Sequence, residues 1–430
     1  MNQATLFKII RLAFRNLFRN KRRTLLTLLL AVIGFTGVAV SRGYYTHAVS
    51  SLQELTIRNG FAGANGTTHF QVSDPRGNAQ QERFALEFGI ANSDQIIAHL
   101  QKVPEFDYAM RRIKFGGLVA NNDKTMPFIG YGIEVVPEAR LREGMAKMKE
   151  AAKDIQLGEE ISRMAKHPHG VLLGKNLARD LGLKVGDPFM LLTTTVHGAV
   201  NAIDVTLAGI QRTGAKEVDN YSLLTELSTA QQVIHSDRVS FIAVMFKNRD
   251  TLPQKEIALQ NALLADFPGQ AFLIQDWETL GDYYRSARDL FDIFFAFLEI
   301  IIIVIVIISC WNIVNMTTME RVREIGTLRA IGLSIKDITS IFLIEEFLIG
   351  IAGVVLGFGV QLATVFLINS AQIPMPPIPG SSETYLLLVD YITAYHPYIA
   401  GGIIAALTLS SLSSFFAIKR LSIIEALEHA

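Results

Sequence analysis

Apolar residues gather in four blocks long enough for a helix to cross a bilayer core, which needs roughly 20 mostly apolar residues. The blocks are residues 24–45, the end of 286–319, 341–368 and 398–418. In front of the first, "LFKIIRLAFRNLFRNKRR" places Leu6, Ile10, Phe14 and Leu17 at helical spacing, with Arg11, Arg15 and Arg19 on another face. That pattern predicts an amphipathic helix on a membrane surface over residues 1–23. It also favours an uncleaved anchor over a secretory signal, although Ala39 and Ser41 imitate a cleavage site. Between the first and second blocks, residues 46–285 have globular composition. "GVLLGKNLARDLGLKVGDPFMLLTTT" reads as strand, short helix, Gly-led turn and strand; "VNAIDVTLAGI" and "RVSFIAVMFKN" read as further strands. "EARLREGMAKMKEAAKDI", in a charged helical insertion over 137–166, and "KEIALQNALLADF" have helical periodicity. An α+β domain of two lobes is expected. From residue 281 a helix runs without a breaker into the second block.

Charge orients the chain. Lys8, Arg11, Arg15, Arg19, Lys21, Arg22 and Arg23 precede the first span; Arg321, Arg323, Arg329 and Lys336 lie between the second and third; Lys419 and Arg420 follow the fourth. Residues 369–397 contain no Lys or Arg. Short basic flanks stay in the cytoplasm, so both termini and residues 320–340 are expected inside, and the α+β domain outside. Glu299 opens the second span and Glu345 and Glu346 the third, near predicted interfaces, where ordinary interface charges are expected. Gly353 and Gly357 form a GxxxG pattern that lets another helix approach closely.

The chain has 430 residues, is 50% apolar and has zero formal net charge. This fits a chain with both membrane and soluble parts, and disfavours a nucleic-acid binder, whose affinity needs a concentrated basic face. Its single cysteine, Cys310, excludes an intramolecular disulfide and is expected as a small buried hydrophobe. No catalytic constellation stands out. "GVLLGKN", Gly170 to Asn176, has three residues between its glycines, where a phosphate loop needs four, and Asn follows the Lys. His167 and His169 flank Pro168 without a third ligand at suitable spacing, so a solvated turn is expected and no metal site. Phe291, Phe294, Phe295 and Phe297 gather where the second span begins. They either start that span or line a membrane-proximal cargo cleft.

In "MERVREIGTLRAIG", Val322, Ile325, Leu328 and Ile331 recur every three residues among Glu320, Arg321, Arg323, Glu324 and Arg329. A short amphipathic helix is predicted, with Gly326 and Gly332 as weak points. A membrane-end loop obeying the positive-inside rule needs neither paired acids nor interleaved aliphatics, which favours a docking element.

"MERVREIGTLRAIGLS" resembles the signature of permease subunits in the FtsX, MacB and LolC/LolE group of ABC transporters, the type VII or mechanotransmission class. "RLAFRNLFRNKRRTLLTLLLAVIGF" is similar to that family's amino-terminal segment and "AIKRLSIIEALEHA" to its carboxy-terminal end, with Ile423 where the family commonly has Pro. "LLGKNLARDLGLKVGDPFMLL" and "ADFPGQAFLIQDWETL" are similar to the LolC/LolE branch. The resemblance implies an α-helical protein of the bacterial inner membrane, with four transmembrane helices and a large α+β periplasmic domain inserted between the first and second.

It implies a non-catalytic permease with no cofactor of its own, ATP and Mg being bound by a separate ABC ATPase subunit. Glu320, Arg321, Arg323, Glu324, Gly326, Leu328 and Arg329 would contact that ATPase. A second permease chain, identical or paralogous, would pair with this one, and nucleotide-driven closure would move the periplasmic domains through stalk helices. The implied cargo is a lipoprotein or another lipid-anchored molecule. The alternatives are MacB-like efflux with a periplasmic adaptor and FtsX-like signalling to a periplasmic enzyme.

Overall fold

The computed structural model of the chain describes residues 19, 21–58, 66–77, 86–121, 123–143, 157–212, 217–249, 251–376 and 385–412. The 38-residue helix α1 (Lys21–Arg58) comes first. Then follow β1 (Phe70–Ser73), α2 (Ser93–Leu100), the hairpin β2 (Phe106–Asn121) and β3 (Lys124–Ile133), α3 (Val135–Glu143) and α4 (Leu157–Met164). Next are β4 (Gly170–Gly174), α5 (Lys175–Leu181), β5 (Pro188–Thr194), β6 (Val200–Gln211), β7 (Ser222–Glu226), α6 (Leu227–Ile234) and β8 (Phe241–Phe246). After α7 (Leu252–Asp266), β9 (Leu273–Asp276) and α8 (Trp277–Leu280) come α9 (Asp282–Glu320), α10 (Val322–Ala330) and α11 (Ile335–Ala371). The short pair β10 (Pro374–Met375) and β11 (Tyr385–Leu386) precedes α12 (His396–Ser410).

Contacts divide the chain into two compact units, residues 49–288 with 374–386, and 1–48 with 289–373 and 387–430. The first is a mixed domain whose nine long-chain strands share one sheet in the order β3-β7-β4-β6-β5-β2-β8-β1-β9, with β2 also paired to β3. The pairings β2-β3-β7-β4-β6-β5-β2 close a ring of six strands, which leaves those strands no open edge. The 16-residue β2 serves both halves of the sheet: Arg112 to Asn121 pair with β3, while Phe106 to Arg112 pair with β8. The sheet consists of this ring and a three-stranded extension, β8-β1-β9, joined through β2.

Gly117 is where the ring closes. It pairs with Thr193 of β5, and a Cβ on it would stand 2.0 Å from the Leu192 carbonyl oxygen. One core runs through this domain, including Phe70, Met110, Ile113, Leu173, Leu191, Ile242 and Leu259.

One charged cluster is as buried as that core. Arg112 Nη2 donates to Glu138 Oε2 at 2.8 Å, Arg142 Nε donates to Glu138 Oε1 at 3.3 Å, and Arg112 Nη1 donates to the Gly66 carbonyl. All three side chains are at most 3% exposed, so each charge depends on the others for the solvation it has lost. The cluster ties β2 to α3.

In the second unit, α1, α9 and α11 contain the three helices of the described residues that are long and apolar enough to cross a membrane: Thr24–Arg58, Asp282–Glu320 and Ile335–Ala371. The fourth predicted span coincides with the shorter apolar helix α12. Residues 413–418 of that span, the carboxy-terminal segment 419–430 and nearly all of the predicted amphipathic helix 1–23 lie outside the described residues. Ala31, Phe35 and Ala39 of α1 pack with Val306 and Cys310 of α9 and Ile403 and Leu407 of α12. Within α11, the GxxxG glycines meet α1: a Cβ at Gly353 would stand 2.4 Å from Ala31 Cβ, and one at Gly357 3.1 Å from Phe35 Cδ1. The pattern therefore serves helix packing inside this chain.

Two adjacent glycines separate a packing requirement from a local preference. Gly117→Ala should destabilise the purified full chain by about 3 kcal/mol, on the order of 6–12 °C in melting temperature. Gly116→Ala, whose Cβ would meet only the Phe128 carbonyl oxygen at 3.4 Å, should leave the melting temperature nearly unchanged. Equal melting temperatures for the two variants would contradict ring closure at this point.

Candidate coupling site

The segment that follows α9 is built from two local stops. Helix α9 ends at Glu320, and Arg321 takes a non-helical conformation (φ −103°, ψ 15°) as the N-cap of α10. Helix α10 ends at Ala330, and the turn that follows passes through Gly332, whose φ of +101° favours glycine. Helix α11 then starts from a capping box, in which Ser334 Oγ accepts from the Asp337 N–H at 3.2 Å and the Asp337 carboxylate accepts from the Ser334 N–H at 3.2 Å. Ile325 on the inner face of α10 packs on Ile338 and Phe342 of α11, with Leu328 and Leu333 beside them.

The seven residues picked out in this segment divide by burial. Glu320, Arg323 and Glu324 are exposed, Leu328 and Arg329 are half-buried, and Arg321 and Gly326 are buried. Arg321 faces inward: its Nη1 donates to both carboxylate oxygens of Glu345 at 3.3 Å, and its guanidinium carbon lies 5.8 Å from the Phe342 ring centre. Its Nε also stands 3.8 Å from Glu324 Oε2, and Glu324 in turn pairs with Arg19. A line of alternating charge thus runs from Arg19 through α10 into α11. Arg19, Arg321, Glu324, Leu328 and Phe342 line a cleft of about 270 Å³.

Glu345 and Glu346, expected as ordinary interface charges, are buried at 1% and 0% exposure. They lie 11 and 12 positions into α11, counting Ile335 as the first, because the helix begins well before its apolar stretch. Spacing along the chain did not reveal that Arg321 and Glu345, 24 residues apart, would meet.

A second polar group joins α1 to α9. Arg42 Nη2 donates to Glu299 Oε2 at 2.9 Å, with the guanidinium also over the rings of Tyr45 and Tyr395 at 5.0 and 4.6 Å. The Tyr45 hydroxyl donates to Asp292, and His47 Nδ1 lies 3.0 Å from Asp390 Oδ1. Close by, the four phenylalanines split: Phe295 is buried in an aromatic cluster with Tyr44, Tyr45, Phe291 and Phe294, while Phe294 and Phe297 are 57% and 63% exposed. Phe294 and Phe297 thus belong to an exposed face of α9, and Phe295 to its packed side.

The other candidates have structural places. Gly170 to Gly174 is the fully buried strand β4, His167 and His169 lie in the turn before it, and Cys310 is buried in the helix core.

The FtsX-like permease C-terminal model matches residues 296–426, and the MacB-like periplasmic core domain model matches residues 24–262. The chain belongs to this family of ABC transporter permeases. An uncharacterized ABC transporter permease of Methanocaldococcus jannaschii is 22% identical over 414 residues, 91% of this chain and 95% of that protein. The lipoprotein-releasing system transmembrane protein LolE of Haemophilus influenzae is 23% identical over 78% of this chain and 80% of its own. LolC of Neisseria meningitidis is 25% identical over 235 residues, 52% of this chain, and the chain spans about half the length of that relative (54%). Among solved structures, the periplasmic region of MacB from Actinobacillus actinomycetemcomitans matches 50% of this chain and 92% of its own, with 12% identity and a TM-score of 0.33. The membrane-embedded, type VII permease character implied by the family resemblance is thereby shown, as is a large periplasmic domain of the MacB type with α/β content.

The buried charge pair gives a test of its own. Removing one partner strands the other, at a cost of about 3–5 kcal/mol. Arg321→Met should therefore lower the melting temperature of the detergent-purified permease sharply, and Arg321→Met with Glu345→Leu should restore most of the loss. Additive losses in the double variant would show that the two side chains do not depend on one another.

Proposed function

We propose that this permease is driven by a separate ABC ATPase subunit docked on α10, and that it uses the motion to extract lipoprotein or other lipid-anchored cargo from the bacterial inner membrane. The observation that carries the docking reading is the division of α10. Arg323 and Glu324 are exposed, while Arg321 and Ile325 hold the helix from behind. Exposed opposite charges on a fixed helix suit a complementary partner surface. The aliphatic Leu328 at their side suits a groove.

In this reading the basic flanks put α10 and both termini in the cytoplasm, and the α+β domain in the periplasm. A second permease chain completes the transporter, and α1 and α9 are the stalks along which motion passes. The chain itself performs no chemistry; ATP and Mg belong to the partner. The cargo reading rests on the similarity to LolC and LolE and on the exposed apolar face of α9, where Leu290, Ile293, Phe294 and Phe297 are 57–71% exposed. An acyl-bearing protein offers surface of that chemistry. Efflux with an adaptor, and signalling to a periplasmic enzyme, are the competing uses of the same machine.

Exchanging the charges, Arg323→Glu with Glu324→Arg, should reduce co-purification of the ATPase by at least about 10-fold, as misplaced charges at an interface do. The permease itself should still fold. Undiminished association and ATP hydrolysis would contradict docking at α10. Mass spectrometry of the intact complex separates the cargo readings: a co-purifying triacylated protein supports release, while an adaptor or a cell-wall hydrolase overturns it.

A further inference from the structure

The α+β domain contains a basic pocket that neither ATPase docking nor cargo release uses. Where α1 ends, β2 begins and β8 ends, a cavity of about 210 Å³ opens to the surface. Four cationic side chains line it, Arg58, Arg140, Lys247 and Arg249, against one carboxylate, Asp107. All of these residues belong to the same compact unit.

The charges are partly balanced. Arg140 Nη2 donates to Asp107 Oδ1 at 2.6 Å. Arg58 Nε donates to Glu54 Oε2 at 2.7 Å, and Arg249 pairs with the same carboxylate. Among the described residues, the carboxylates of Asp107 and Glu54 pair with these three guanidinium groups, and the Lys247 ammonium adds a further cation. A site of this balance attracts an anion.

Two neutral groups make the pocket more than a charged surface. The Tyr108 hydroxyl oxygen is buried and has no hydrogen-bond partner among the described residues, and Arg140 lies 4.4 Å over its ring. A buried hydroxyl without a partner has lost its hydration without compensation, and an acceptor entering the pocket would recover that loss. Burial pushes this phenol up to about 12, so it remains a proton donor at neutral pH. His69 is held the other way: burial, helped by the positive charge of Arg58, lowers it to about 4. It stays neutral, and its Nδ1 accepts from the Phe246 N–H at 3.0 Å, which leaves the proton on Nε2. The pocket thus offers cations and neutral donors together, the combination that suits a compact oxyanion with several acceptor oxygens.

We infer that this pocket binds a phosphate group, with Lys247 and Arg140 meeting its charge and the Tyr108 hydroxyl donating to one of its oxygens. The group comes either from a free phosphate or from the phosphate of a lipid headgroup; the recognition chemistry is the same.

The test is calorimetry on the full-length permease in a phosphate-free detergent. Inorganic phosphate and soluble dihexanoyl phosphatidic acid are titrated separately and then in competition. Single-site phosphate binding is expected, weakened on the order of 10-fold by Lys247→Ala and several-fold by Tyr108→Phe. Asp107→Asn, which removes the one lining carboxylate, should tighten it.

Phosphatidic acid that binds more tightly and displaces phosphate identifies a lipid headgroup as the source. Equal affinities identify free phosphate. No heat at millimolar concentrations of either ligand, or binding that Lys247→Ala and Tyr108→Phe both leave unchanged, overturns the assignment. Both substitutions leave α10 intact, so a failure here does not bear on ATPase docking.

Discussion

The buried pair of Arg321 and Glu345 is the constraint on which the proposed coupling depends. It sits at the one residue where α9 stops and α10 begins, and it fixes that residue to a third helix, α11. A charge this deep is tolerated only with a partner, because neither group can recover its lost hydration alone. The pair therefore specifies where the break between helices falls. The exposed face of α10 follows from it: with Arg321 and Ile325 turned inward, Arg323 and Glu324 point out. The charges that look equivalent along the chain differ in place, one buried and holding the helix, the others exposed.

Two helices, α1 and α9, each run from one compact unit into the other, and the chain passes between the units within them. In the membrane unit they are joined by Arg42 and Glu299, by Tyr45 and Asp292, and by the ring cluster on Phe295. Lower in the same unit, α1 packs against α11 through Gly353 and Gly357. In the proposed function, displacing α10 acts on helices that share close contacts. Small residues and a part-buried ion pair set the distances between them.

Much of this was legible in the residues. Strand β5 was readable from its alternating apolar positions, β4, β6 and β8 from short apolar stretches between Gly-rich or polar turns, and α10 because its aliphatics recur every three residues. The hairpin β2–β3 was not. In β2 the neighbours change half-way, so its pattern is broken by the buried Arg112 and by Gly117, which answer to tertiary contacts. The burial of Glu345 and the partner of the GxxxG glycines were hidden for the same reason. Each depends on a residue in another helix, Arg321 or Ala31, and local periodicity carries no record of that. The resemblance supplied the family; only coordinates could divide its coupling residues into inward and outward sets.

The claim that motion travels along α9 can be tested by interrupting that helix where the chain passes between the units. Three glycines are inserted between Arg288 and Asp289. Spin labels at the exposed positions Val200 and Leu367 then report the distance between domain and membrane helix, with and without ATP, in the assembled transporter. The account predicts a nucleotide-dependent change in distance for the intact helix, and loss of that change in the insertion variant while ATP hydrolysis continues. An undiminished change across the flexible insertion would contradict it.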